Sequence, residues 1–287
     1  MIRSAKAVRR RDVPTFSQGY PGAIERYYRT MLLRMVREIH RKLRGAGVEV
    51  YAAALAQRDA EMRRDAWPDY LETALGYIDF SEEVQAGVRA MRQVTTEMRA
   101  FKGREYQAFA RQVMGVGAIQ SQPKLDLVMD SWSQTNARLI SSISGQFHAD
   151  VAARAQEMVR QGRSMRDFQT ELRRQYGLKS ARAELIARTE VAKLNSAVTR
   201  ERQEALGLDV YLWQSARDER VRQSHRALNG KYCRYSDPGV CADSPDGPWY
   251  SRASIGAFIG DPGTDFQCRC TGAASVDSMI DQLMREL

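Results

Sequence analysis

The stretch RVRQSHRALNGKYC (Arg220–Cys233) places one of the chain's three histidines, His225, a few residues ahead of the first of its four cysteines. Cys233, Cys241, Cys268 and Cys270 all fall late in the sequence, and the first 232 residues contain none. Imidazole and thiolate together are soft-metal ligands or nucleophile and base. On an extended strand Cys268 and Cys270 would point to one face, so both could face one metal ion or two different cysteines. Cys233 and Cys241 flank RYSDPGV, a turn-like loop that could bring them together. Four thiolates would complete a tetrahedral Zn2+ site, and three with His225 would do so equally well. The spacing matches neither paired C-x2-C nor a C2H2 pattern. Three states stay open: a structural zinc site, reduced buried thiols, and one or two disulfides formed after release from the cell.

A catalytic reading would pair His225 with a cysteine and use Asp218 as the orienting acid. No nucleophile-elbow pattern accompanies it, and the cysteines come in pairs, as structural ligands do. The simpler reading is a polar network: on a helix, Asp218 and Arg222 are four apart and can pair, with His225 on the face of Arg222. There is no phosphate-cradling glycine loop, no H-E-x-x-H motif and no aromatic-interleaved RNA motif. The chain is therefore expected not to be an enzyme.

Charge is the second chemical signal. The net +9 divides into +14 over residues 1–235 and −5 over residues 236–287. A basic body suits an acidic partner such as DNA, or is a solvated basic face. Arg9, Arg10 and Arg11, with Arg3 and Lys6, form an arm without an acid and are candidate nucleic-acid contacts. The longest apolar run, Val50–Ala56, is too short to span a bilayer. No hydrophobic signal core follows Met1, so the chain is expected in the cytoplasm where it is made.

The elements that must position these groups read as follows. Ile24, Tyr28, Met31, Met35 and Ile39 form a helical stripe ended by Gly45 and Gly47. Ser81 reads as the N-cap of a helix to Phe101, with a second helix over Arg104–Met114. GVGAIQSQPKLD (Gly115–Asp126) reads as a linker. A long helix fits Ser131–Gln161. Ser164 and Asp167 resemble a capping box opening a helix that ends near Gly177, and Ser180 opens another through Ala205. DVYLWQSA (Asp209–Ala216) reads as a strand, DFQCRC (Asp265–Cys270) as a second, and Ser275–Leu287 as a final helix. The expectation is an α+β chain: a mainly helical N-terminal half, then a small irregular β-containing module with a C-terminal helix.

The ordered motifs also carry a resemblance. ARAELIARTEVAKLNSA (Ala181–Ala197), with Arg188-Thr189-Glu190, precedes YLWQSARDERVRQSHRALNGKYC (Tyr211–Cys233), then Pro262-Gly263, then Cys268-Arg269-Cys270. This series resembles the Mu F-like head morphogenesis family of tailed bacteriophages, the minor head proteins, over roughly residues 135–275. Cys233 and Cys241 lie outside the resembling pattern. The resemblance implies a virion head component present in few copies, made in the host cytoplasm and placed near the portal vertex. Its implied partners are the portal protein, the major capsid protein, or both, with packaged DNA a further contact and no membrane. It implies a Mu F-like domain over 131–287, with residues 1–130 left as a helical portal- or capsid-docking region. The implied roles are head assembly and DNA packaging, retention or delivery. Two alternatives stand beside it: a basic DNA-binding module inside the capsid, and a Cys/His or metal-dependent hydrolase. The candidate network comprises Arg188, Glu190, Asp218, Arg222 and His225, and the candidate zinc ligands are Cys233, Cys241, Cys268, Cys270 and His225.

Overall fold

In a computed structural model, which describes residues 19–60, 66–114 and 123–275, the stripe that starts at Ile24 folds as α1 (Gly22–Lys42). It buries Ile24, Tyr28, Leu32, Met35, Val36 and Ile39, while Arg26, Arg34, Arg37 and Arg41 stay exposed. Gly45 and Gly47 do not end the helical path. They sit in a π-helical turn (Leu43–Gly47) that runs on into α2 (Val48–Ala60). Leu43 within that turn is fully buried, and this anchor offsets the low helix propensity of the two glycines.

Next come α3 (Trp67–Gly76), α4 (Ser81–Met114), α5 (Pro123–Arg160) and α6 (Met165–Glu204). Each of the last three corrects the sequence reading. The expected pair of helices over 81–101 and 104–114 is the single helix α4. Gly103 is carried through because buried Lys102 pairs with Glu105 at 2.8 Å and the Tyr106 hydroxyl donates to the Arg202 carbonyl. Ser81 is not the cap itself: the Asp79 carboxylate, two residues earlier, accepts from the Ser81 amide at 2.9 Å and from its hydroxyl.

Helix α5 starts at Pro123, eight residues before the expected Ser131, because proline suits a first helical position, where its missing N–H costs nothing. Of the expected linker, Pro123–Asp126 is therefore helical, and 115–122 lies outside the described residues. The two helices expected around Gly177 are one, α6, since Lys179 two residues on is buried and ion-paired with Asp150 at 2.5 Å. Its start is as expected. The Ser164 amide donates to Asp167 Oδ2 at 3.1 Å and the Asp167 amide to Ser164 Oγ at 3.2 Å, a reciprocal capping box.

Two compact units result. Among the described residues, the first takes 23–60, 66–96 and 132–188, and is helical. Its interior holds a Tyr51–Phe168 stack at 4.2 Å and the Tyr28 hydroxyl, which donates to Asn136 Oδ1 at 3.2 Å. Among the described residues, the second takes 19–22, 97–114, 123–131 and 189–275, and holds the sheet.

The sheet has five antiparallel strands in the order β4-β3-β2-β1-β5. These are β1 (Val210–Gln214), β2 (Tyr232–Arg234), β3 (Val240–Ala242), β4 (Tyr250–Ser251) and β5 (Thr271–Ala274). A one-turn helix, α7 (Gln223–Arg226), bridges β1 and β2, and a 3₁₀ turn (Arg252–Ile255) follows β4. Tyr211 and Trp213 on β1 pack with Leu228, Tyr235 and all four cysteines in one core. The expected strand Asp265–Cys270 is instead a loop ahead of β5. The Cys268 amide closes a turn onto the Asp265 carbonyl at 3.1 Å, and Gln267 adopts a left-handed φ of 55°, which breaks an extended run. The architecture is α+β, helical first and then a small antiparallel sheet. The final helix expected over Ser275–Leu287 and the arm with Arg9, Arg10 and Arg11 fall on residues outside those described, Ser275 excepted.

Candidate functional site

Three residues converge beside the sheet. His225, from α7, is 2% exposed and turns Nδ1 toward Cys268 Sγ at 3.4 Å and Cys270 Sγ at 3.7 Å. The three donor atoms all lie within 4.8 Å of one another. Among the described residues this is the one group of three or more His, Cys, Asp or Glu side chains with metal-ligating geometry. The loop, not a pleated strand, brings the two sulfurs to one side: the Cys270 amide points at Cys268 Sγ at 3.4 Å.

The far side of the imidazole is fixed as well. His225 Nε2 lies 3.0 Å from Asp265 Oδ2, and the same carboxylate oxygen accepts from Arg222 Nη1 at 3.0 Å. Arg222 Nη2 also donates to the Phe266 carbonyl at 2.9 Å. Phe258 stacks on the imidazole at 4.6 Å and Trp213 meets it edge-on at 5.8 Å. The loop is tied to α6, because the Gln267 amide donates to Thr189 Oγ1 at 3.3 Å. The neighbouring turn is held by Gly263 against α6. With φ at 89°, it brings its backbone so close that a Cβ would lie 3.0 Å from the Ala192 carbonyl oxygen.

Electrostatics separate the two sulfurs. The hydrogen bond from Cys270, helped by His225, lowers the Cys268 thiol despite burial, while the neighbouring Cys268 sulfur and burial raise Cys270. Burial works against a charged His225 ring, but Cys268 and then Asp265 outweigh it and raise its pKa. Of the two thiols, Cys268 is therefore the more readily ionised, and the His225 ring beside it is biased toward its charged form.

Cys233 and Cys241 share that core but not the donor cluster around His225. They are directly opposed partners on β2 and β3, brought together by the loop between those strands, as the sequence suggested. Both are free and buried. Burial pushes the Cys233 thiol up to about 12 and also raises Cys241, so these two remain neutral thiols. The late cysteines are therefore two pairs with different surroundings: one gathered on His225, the other within the sheet.

The proposed Asp218–Arg222 pair is replaced. Residues 218–221 form a turn after left-handed Arg217 (φ 54°), so i,i+4 helical geometry is missing. Asp218 pairs with Arg269 and caps the Arg220 amide at 3.1 Å, while Arg222 turns to Asp265. On α6, Arg188 lies 3.6 Å from Glu25, and buried Glu190 pairs with Lys193 at 2.8 Å. Glu190 and Thr189 are thus interior residues rather than part of an exposed charged face.

Two residues with central roles were not singled out from the sequence. Asp265 orients His225, and its only sequence signal is a carboxylate just ahead of C-x-C. Arg252 is fully buried and donates to the Val240 carbonyl at 2.9 Å, the Gly260 carbonyl at 2.7 Å and the Tyr211 hydroxyl at 3.2 Å. A buried arginine that joins strand, turn and loop carries no local sequence signature.

Comparisons with known proteins bear on this same region. A Haemophilus influenzae protein described as an uncharacterized protein is 26% identical over 186 residues, which cover 65% of this chain and 36% of that protein. The chain thus spans about a third of this relative. No solved structure matches the chain. Residues 149–273, which contain α6, the His225–Cys268–Cys270 group and the Asp265 loop, match the family described as Phage Mu protein F like protein, the phage head morphogenesis family that the motifs resemble.

Proposed function

We propose that the chain is a structural minor head protein of a tailed phage, not an enzyme. It acts in head assembly and in the packaging, retention or delivery of DNA. The observation that carries the reading is the family match over 149–273, which covers all of the sheet but Ala274, and its polar anchors. In this reading the protein resides in the virion head near the portal vertex, in few copies, and docks on the portal protein, the major capsid protein or both. Among the described residues no helix is long and apolar enough to cross a membrane. The surroundings of His225 favour a holding role: Phe258 and Trp213 cover the ring, and Asp265 and Arg222 fix it. Deleting the gene from the phage tests the role. The expected result is defective or DNA-free heads, restored when the protein is supplied in trans. Normal yields of DNA-filled heads would contradict it.

The +14 carried by residues 1–235 supports direct contact with packaged DNA as a second reading. A salt titration of duplex affinity addresses it. Phosphate contacts require the logarithm of the affinity to fall linearly with the logarithm of salt, and a flat response would remove DNA from the partners.

A further inference from the structure

We propose that His225 Nδ1, Cys268 Sγ and Cys270 Sγ hold a single Zn2+ ion, with a water in the fourth position and with Cys233 and Cys241 outside the site. This assignment stands independently of the head-protein reading.

Geometry carries the argument. Tetrahedral zinc with Zn–S near 2.3 Å and Zn–N near 2.05 Å sets N···S separations of about 3.6 Å and an S···S separation of about 3.8 Å. The observed N···S distances are 3.4 and 3.7 Å, and all three donors fall within 4.8 Å of one another.

The surroundings are those of a ligand set. A metal-bound imidazole keeps a proton on its distal nitrogen and donates it to a carboxylate or carbonyl. Asp265 Oδ2 waits 3.0 Å from Nε2 and is itself held by Arg222. The Cys270 amide aimed at Cys268 Sγ at 3.4 Å favours thiolate charge on that sulfur. Binding is not a redox step: each thiol gives its proton to solvent, and two thiolates neutralise the dication. The ion would join α7 to the loop before β5 in a sheet whose strands are two to five residues long. Cys233 and Cys241 are excluded because they oppose each other across β2 and β3 and do not join the donor cluster of His225, Cys268 and Cys270.

The experiment uses the full chain, produced in zinc-supplemented medium and purified under reducing conditions. Metal analysis is expected to give one zinc per chain, and zinc-edge X-ray absorption a shell of two sulfurs with two light atoms, one of them imidazole. A folded protein without zinc, or a shell of four sulfurs, overturns the assignment. Cys233→Ala/Cys241→Ala is expected to keep the metal, and its loss from that folded variant would also overturn it. Asp265→Asn is expected to weaken zinc affinity about 10- to 100-fold without changing the shell; unchanged affinity would remove Asp265 from the site. If substitutions at His225, Cys268 or Cys270 prevent folding, the absorption spectrum of the unaltered chain still decides.

Discussion

Arg252→Met puts the packing account under its sharpest strain. The guanidinium is fully buried, with close hydrogen bonds to two backbone carbonyls and a tyrosine hydroxyl. Methionine keeps most of the stem and removes every donor. Hydrogen bonds from a charged donor are worth about 1.5–3 kcal/mol each, so three would total about 4–9 kcal/mol. Burying the cation has its own desolvation cost, and that cost disappears with it. The net expectation is a loss of about 3–5 kcal/mol. In urea, where stability falls by about 1–3 kcal/mol per molar, that lowers the midpoint by about 1–5 M. Near-UV circular dichroism reads the aromatic core containing Tyr211 and Trp213 and so reports on the sheet. Arg252→Lys keeps the charge but not the fork of donors, and should recover only part of the loss. A shift below about 0.3 M in Arg252→Met would refute the claim that this side chain ties β3, β1 and the 258–260 segment together.

Other outcomes follow from single contacts. Gly263→Ala would force a side chain into a left-handed backbone 3.0 Å from the Ala192 carbonyl oxygen, so a loss of about 2 kcal/mol or more is expected by thermal or urea unfolding. Ser164→Ala removes one half of the capping box and should cost about 1 kcal/mol, read as a lowered midpoint for the helical unit. The Ser164 hydroxyl and amide hold Asp167 below its ordinary carboxylate value. Its share of the cap is thus present above the unfolded value of 3.8 and fades as pH falls through the lower folded one, and an acid titration of stability in wild type and Asp167→Asn should converge there. Asp265→Ala removes the shared acceptor of Arg222 and His225, and should release the loop ahead of β5, seen as faster amide exchange at 266–270.

How far the sequence reached depends on which force sets each feature. The α1 stripe and the Ser164–Asp167 box were legible because periodicity and caps are local. The breaks expected near Gly103 and Gly177 were not real, because Tyr106 and Lys179 hold the helices through them by contacts distant in sequence, and Lys102 adds a local pair with Glu105. Strand β1 was legible from alternation, whereas β2, β3 and β4 span only two or three residues and leave no period to detect. His225 and the cysteines were recognisable as ligand types. Their division into a His225 pair and a cross-strand pair depends on register and on the turn at Asp265, neither of which is a local property. Asp218 was paired with Arg222 on a helix that Arg217's left-handed backbone rules out.

Cryo-electron microscopy of intact phage particles tests the central claim most directly, with the fold described above as the search object. The account predicts density for the sheet and α6 inside the head near the portal vertex, in few copies. Density for this chain confined to the tail, or its absence from the head, would contradict it.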